Sequence, residues 1–86
     1  MAAQSTAAIL AAAAGTVVAV DGWDPHDHRI IRHLETAAGD DPDAAHTAYQ
    51  ALSDHLMCPA GTWELLDRSQ HDVADALMGA AREVTA

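Results

Sequence analysis

The chain has 86 residues, a formal net charge of −9 and an apolar half in which 21 residues are Ala and none is Phe. One domain is the limit, because a second would need its own core. Four Arg and no Lys against thirteen carboxylates exclude a duplex-binding domain, which needs a cationic stripe to release counterions, and argue against an anionic membrane surface.

Leu, Ile and Val number only 15, a content that composition alone would place among disordered chains. Ala reverses that expectation, because it is the best helix former. Punctuation divides the chain into four helical segments, near residues 5–20, 25–38, 42–57 and 62–84, the last with a break near 69. The first can be capped by Ser5 or Thr6 and is apolar around its whole axis, so most of its sides need cover. The stretch 7–20 lacks the preceding positive charge of a signal peptide. As helix it spans about 21 Å, short of a ~30 Å hydrocarbon core.

Asp21-Gly22-Trp23 reads as a turn. Asp24-Pro25 then signals a helix start, a capping carboxylate followed by Pro at the first helical position, and Gly39 signals its end in αL. Asp41-Pro42-Asp43 repeats the start signal, and Ala45, Tyr49, Leu52 and Leu56 give the third helix its inward stripe. Pro59 and Gly61 close it. In the last segment Glu64 and Arg68 are spaced for an i, i+4 surface pair. Ser69 and Asp72 offer a second cap, and Val73, Leu77, Ala80 or Ala81, and Val84 form the buried line. No segment alternates over a strand length, Val17 to Val20 being the one short alternative. The expected fold is all-α, a compact bundle of three to four short helices in a single domain.

Six His residues invite a metal reading, but no pair has the i, i+4 spacing of a helical zinc site. His26 and His33 lie two turns apart with Ile30 between them. Ligands could converge only from different helices. Cys58 follows His55 by three residues, yet no third orienting group or oxyanion site accompanies them. Cys58-Pro59 reads as a helix terminator. The single Cys favours a reducing, cytoplasmic setting. No catalytic residue, metal ligand or cofactor is assigned.

Residues 21–43 concentrate the charge, with seven carboxylates against two Arg. Asp21, Asp24, Asp27, Asp40, Asp41 and Asp43 are therefore interface candidates, suited to a basic partner. Trp23, in a turn, is a candidate anchor if its ring is exposed. Ile9 and Val17 are candidates on the all-apolar first helix, where a second copy of the chain could supply the missing cover.

The Ala-rich opening helix, Gly22-Trp23, Trp63, Arg68-Ser69 and Val73, with Ala80-Ala81 closing an acidic amphipathic helix, resemble small helical proteins of actinobacteria and their phages. That resemblance implies a bacterial or phage origin and no particular activity. The expected function is a non-enzymatic protein–protein interaction module, an accessory or inhibitory subunit. One rival is an acidic nucleic-acid mimic that blocks a DNA- or RNA-handling protein. The other is a His-based metal-binding protein.

Overall fold

The structure, a computed structural model, describes residues 5–39, 41–66 and 68–85. It is an all-α bundle: α1 (Thr6–Ala19), α2 (Ile30–Ala38), α3 (Pro42–Leu56), α4 (Ala60–Trp63) and α5 (Gln70–Thr85). No strand occurs among the described residues, and Val17 to Ala19 are helical.

Local capping chemistry sets several helix ends. Ser5 Oγ accepts from the Ala8 N–H at 3.1 Å and starts α1. Asp41 Oδ1 accepts from the Ala44 N–H at 3.1 Å, with Pro42 opening α3. Ser69 Oγ accepts from the Asp72 N–H, and Asp72 Oδ2 accepts in return from the Ser69 N–H, both at 3.1 Å. This reciprocal pair satisfies two donors that no helical carbonyl reaches. It fixes the start of α5 just beyond the break expected near residue 69.

The cover for α1 comes from the chain itself. α1 packs against α5, α2 and α3, and Ile9, Leu10, Ala13, Ala14 and Val17 are all buried. Ile9 and Val17 are 1% and 0% exposed, so neither is free to meet a second copy. The outward face of α1 carries Ala8, Ala12, Gly15, Val18 and Ala19. Ile30, Leu34, Leu52, Val73 and Leu77 complete the core, each contributing ~1.5–3 kcal/mol by its burial.

The chain departs from expectation at the start of α2 and in the residues or conformations that end α2 and α3. The helix expected over 25–38 forms one turn and then breaks. The Asp27 and His28 N–H groups both reach Asp24 O, at 2.9 and 2.6 Å. Asp24 Oδ1 accepts from the His26 N–H at 3.0 Å. Arg29 is then extended, and α2 begins at Ile30. Gly39 ends α2 at φ 70°, ψ −131°, a conformation that relies on Gly but is not αL.

α3 stops where expected, near residue 57, but its terminator is not Pro59 or Gly61: Met57 adopts αL (φ 60°, ψ 27°) and is 91% exposed. Pro59 instead caps α4, and Gly61 lies inside it. Val84, expected in the buried line of α5, is 45% exposed, while Gly79 lets His55 lie against that helix. A Cβ at Gly79 would meet His55 Nε2 at 2.8 Å.

A left-handed conformation costs an L-residue roughly 1–2 kcal/mol, and Met57 is too exposed to recover this by packing. Met57→Gly is expected to raise stability by about 0.5–1 kcal/mol after the flexibility of the unfolded Gly is counted. Urea titration checks this. Unchanged or lower stability would mean that the Met57 conformation is unstrained.

Candidate functional site

The site grows out of the short α4 turn. Trp63-Glu64-Leu65-Leu66 places a carboxylate inside an apolar run. Glu64 is the buried member, at 2% exposure, while Leu65 and Leu66 are 57% and 59% exposed. Glu64 Oε2 accepts from the Ile30 N–H at 2.7 Å across 34 residues of sequence. It thus satisfies a donor at the α2 N-terminus, where the helix dipole favours negative charge. Glu64 Oε1 lies 3.8 Å from Arg29 Nε, whose side chain is 60% exposed. Burial raises the Glu64 carboxyl above its ordinary value, against the opposing pull of the Ile30 N–H and the Arg29 charge.

The expected Glu64–Arg68 surface pair does not form. Arg68 instead lies over the Trp63 ring, with its guanidinium carbon 4.5 Å from the ring centroid. Its Nε donates to Trp63 O at 3.4 Å.

Arg29, Ile31, His46, Tyr49, Gly61 and Glu64 line a cleft of about 220 Å³. Tyr49 Oη accepts from the Gly61 N–H at 2.9 Å. A Cβ at Gly61 would stand 3.2 Å from that hydroxyl, so the close approach relies on Gly. Arg29 also lines a neighbouring cleft of about 190 Å³ with Pro25, His26 and Leu65. The exposed leucine is thereby set beside the 24–28 turn.

That turn rests on a cluster of rings. Trp23 lies 6.2 Å from His28 and 5.9 Å from His33 between ring centroids, and the two His rings are 6.3 Å apart. Thr16 Oγ1 donates its single proton to Ala13 O at 2.8 Å. The 2.8 Å contact between Thr16 Oγ1 and His33 Nδ1 therefore has the imidazole as donor. Burial, and secondarily the nearby His28, lower the His33 pKa from 6.5. A His depressed in the fold contributes stability above its unfolded value and loses it as pH falls through the folded one.

Trp23 is half-buried and packed against the core. Its buried Nε1–H has no hydrogen-bond partner among the described residues. The exposed indole anchor considered there is absent, and the exposed large side chain next to the turn is Leu65.

Asp21, Asp24, Asp27, Asp41 and Asp43 are all exposed. Asp40 lies outside the described residues. Asp24 and Asp41 make the local bonds above. The side chains of Asp21, Asp27 and Asp43 have no hydrogen-bond or ion-pair partner among the described residues. The acidic stretch is not one patch. Asp21, Asp24 and Asp27 precede α2, and Asp41 and Asp43 follow it, separated by nine residues of helix, about 13 Å.

Among the described residues no three His, Cys, Asp or Glu side chains converge as a metal site. None of their helices is long and apolar enough to cross a membrane. A further cleft, about 500 Å³, runs from Tyr49 to Pro59 past Met57 and Cys58. Compared with known families, curated proteins and solved structures, the chain has no match.

Sequence reading missed Glu64, Leu65, Leu66, Arg29 and Tyr49 as site residues. The carboxylate within the apolar run at 63–66 is the one signal that could have pointed there.

The pH dependence of Glu64 has a definite sign. A carboxyl raised in the fold binds its proton more tightly there than in the unfolded chain. Stability relative to a non-titrating variant therefore grows as pH falls through the folded value, and is flat above it. Measured against Glu64→Gln between pH 7 and 4.5, the wild type is expected to gain stability on acidification. His33 titrates in both proteins and cancels. Glu64→Ala, which leaves the Ile30 N–H unpaired, is expected to lose about 1–3 kcal/mol. Urea unfolding across that range checks both, and a wild-type advantage that shrinks on acidification would contradict the assignment.

Proposed function

We propose that the protein is a non-enzymatic interaction module, an accessory or inhibitory subunit that docks on a basic protein surface. The observation carrying this reading is the exposure of Leu65 and Leu66, at 57% and 59%, with Leu65 sharing a cleft with the acidic 24–28 turn. A chain with only 15 Leu, Ile and Val residues gains little by leaving two adjacent ones in water. Burying each in an interface is worth ~1.5–3 kcal/mol.

Leu65 shares a cleft with Pro25 and His26, in the same turn that carries the exposed Asp24 and Asp27 and follows the exposed Asp21. An apolar centre with a charged rim is the anatomy of a protein interface, the centre governing dissociation and the rim governing encounter. The net charge of −9 makes the complementary partner a basic one. A nucleic-acid mimic would instead draw its binding energy from carboxylates spread along a surface.

Capture from native lysate identifies the partner, and binding kinetics then test the reading. Leu65→Ser/Leu66→Ser is expected to raise the dissociation rate at least tenfold, since interface losses fall mainly on that rate. Asp21→Asn/Asp27→Asn, which leaves both helix-turn bonds intact, is expected to slow association and flatten its salt dependence. Dissociation unchanged by the leucine pair would contradict the reading. Loss of affinity with salt alone would favour the mimic.

A further inference from the structure

The cleft beside Glu64 holds hydrogen-bonding capacity that the fold leaves unused. Oε2 is occupied by the Ile30 N–H, but the nearest cation to Oε1 is Arg29 Nε at 3.8 Å, beyond hydrogen-bond length. Tyr49 Oη accepts from the Gly61 N–H, which leaves it one lone pair and its own proton. No other described residue is bonded to either atom. Ile31 and the Tyr49 ring supply an apolar and aromatic wall. At about 220 Å³ the space holds several waters at ~30 Å³ each.

These groups select among ligand chemistries. An anion would be repelled by Glu64 and by the charge of the whole chain. A neutral solute would leave the charge on Oε1 facing Arg29 alone, at 3.8 Å. A primary ammonium is a compact cation with three donors on a flexible apolar stem. Its head matches two acceptors, Glu64 Oε1 and Tyr49 Oη, and its charge suits the ring face of Tyr49. Arg29 is no bar. Its side chain is 60% exposed and also lines the neighbouring Leu65 cleft, so it can share the carboxylate from the solvent side.

We infer that the cleft lined by Arg29, Ile31, His46, Tyr49, Gly61 and Glu64 seats a primary alkylammonium group, namely a lysine side chain of the docking partner. The identity of the donor as a partner lysine rests on the proposed docking function. The cleft's preference for an alkylammonium does not. Its position beside Leu65 lets one basic surface engage the leucines and the cleft together. Burial raises the Glu64 carboxyl, and an ammonium brought to it reverses that effect, so binding in mildly acidic solution releases a proton.

The test is titration of the isotopically labelled protein with n-butylammonium chloride at constant ionic strength, followed by NMR. Sodium chloride and tetramethylammonium chloride serve as controls, the latter a cation without donors. Saturable shifts are expected at Ile31, Tyr49 and Gly61. The Glu64 side-chain carboxyl carbon is expected to move toward its ionised position. Glu64→Gln is expected to abolish saturation. Tyr49→Phe is expected to weaken binding about two- to tenfold, the value of one hydrogen bond, and carries the test if Glu64→Gln does not fold.

Leu65→Ser/Leu66→Ser is expected to leave the amine titration unchanged. That separates this inference from the docking reading, whose failure would show only in partner kinetics. Shifts that never saturate, that either control reproduces, or that persist unweakened in folded Glu64→Gln or Tyr49→Phe protein would overturn the inference.

Discussion

The carboxylate of Glu64, buried against the first amide of α2, is the constraint on which the arrangement depends. Removing a carboxylate from water costs several kcal/mol even after relaxation. Here the loss is offset in part by a charge-assisted bond to the Ile30 N–H at 2.7 Å and by Arg29. The helices it joins have little stability alone. α2 has nine residues and α4 four, both below the length at which an isolated helix persists in water. Tying one to the other fixes where α2 starts, turns the α4 segment inward at residue 64, and leaves Leu65 and Leu66 pointing out. Both clefts that share Arg29 follow from the same bond.

A shortage of large side chains sets the second condition. With Ala making up about half of the apolar residues, the core is built by close approach around α1. Gly61 admits the Tyr49 hydroxyl and Gly79 admits the His55 ring. His55 Nδ1 reaches Glu83 Oε2 at 3.1 Å, though off the line of a hydrogen bond, and links the end of α3 to α5. Gln70 Nε2 donates to Val18 O at 3.2 Å and so serves a carbonyl that the end of α1 leaves unpaired. Tertiary bonds of this kind hold together elements that local propensity alone would leave marginal.

What could be read in the sequence was what is decided locally. The Ser5 cap, the Asp41-Pro42 start, the Ser69/Asp72 pair and the stripe through Leu52 each depend on residues within one or two turns, and each is present. The errors cluster where a distant group outranks a local rule. Asp24-Pro25 does open a helical turn, but the carboxylate of residue 64 captures the Ile30 N–H and restarts the helix there. Spacing pairs Glu64 with Arg68, yet the α2 terminus offers Glu64 a buried donor and the Trp63 face offers Arg68 a ring. The turn at Trp23 leaves open whether its ring is core edge or exposed anchor, and packing against the core and the His28 and His33 rings decides for the former. The candidate cleft is assembled from α2, α3, α4 and the residue preceding α2, and no single segment announces it.

Amide hydrogen exchange at Ile30 tests the central claim most directly. Its N–H sits at a helix start, where no helical carbonyl can protect it, so protection there reports the Glu64 bond. The account predicts that in the wild type this amide is protected to a level comparable with the buried amides of α1 and α5. In Glu64→Ala protection at Ile30 should collapse while that of α5 persists. Exchange at the rate of an exposed amide in the wild type, or protection unaffected by the substitution, would contradict it.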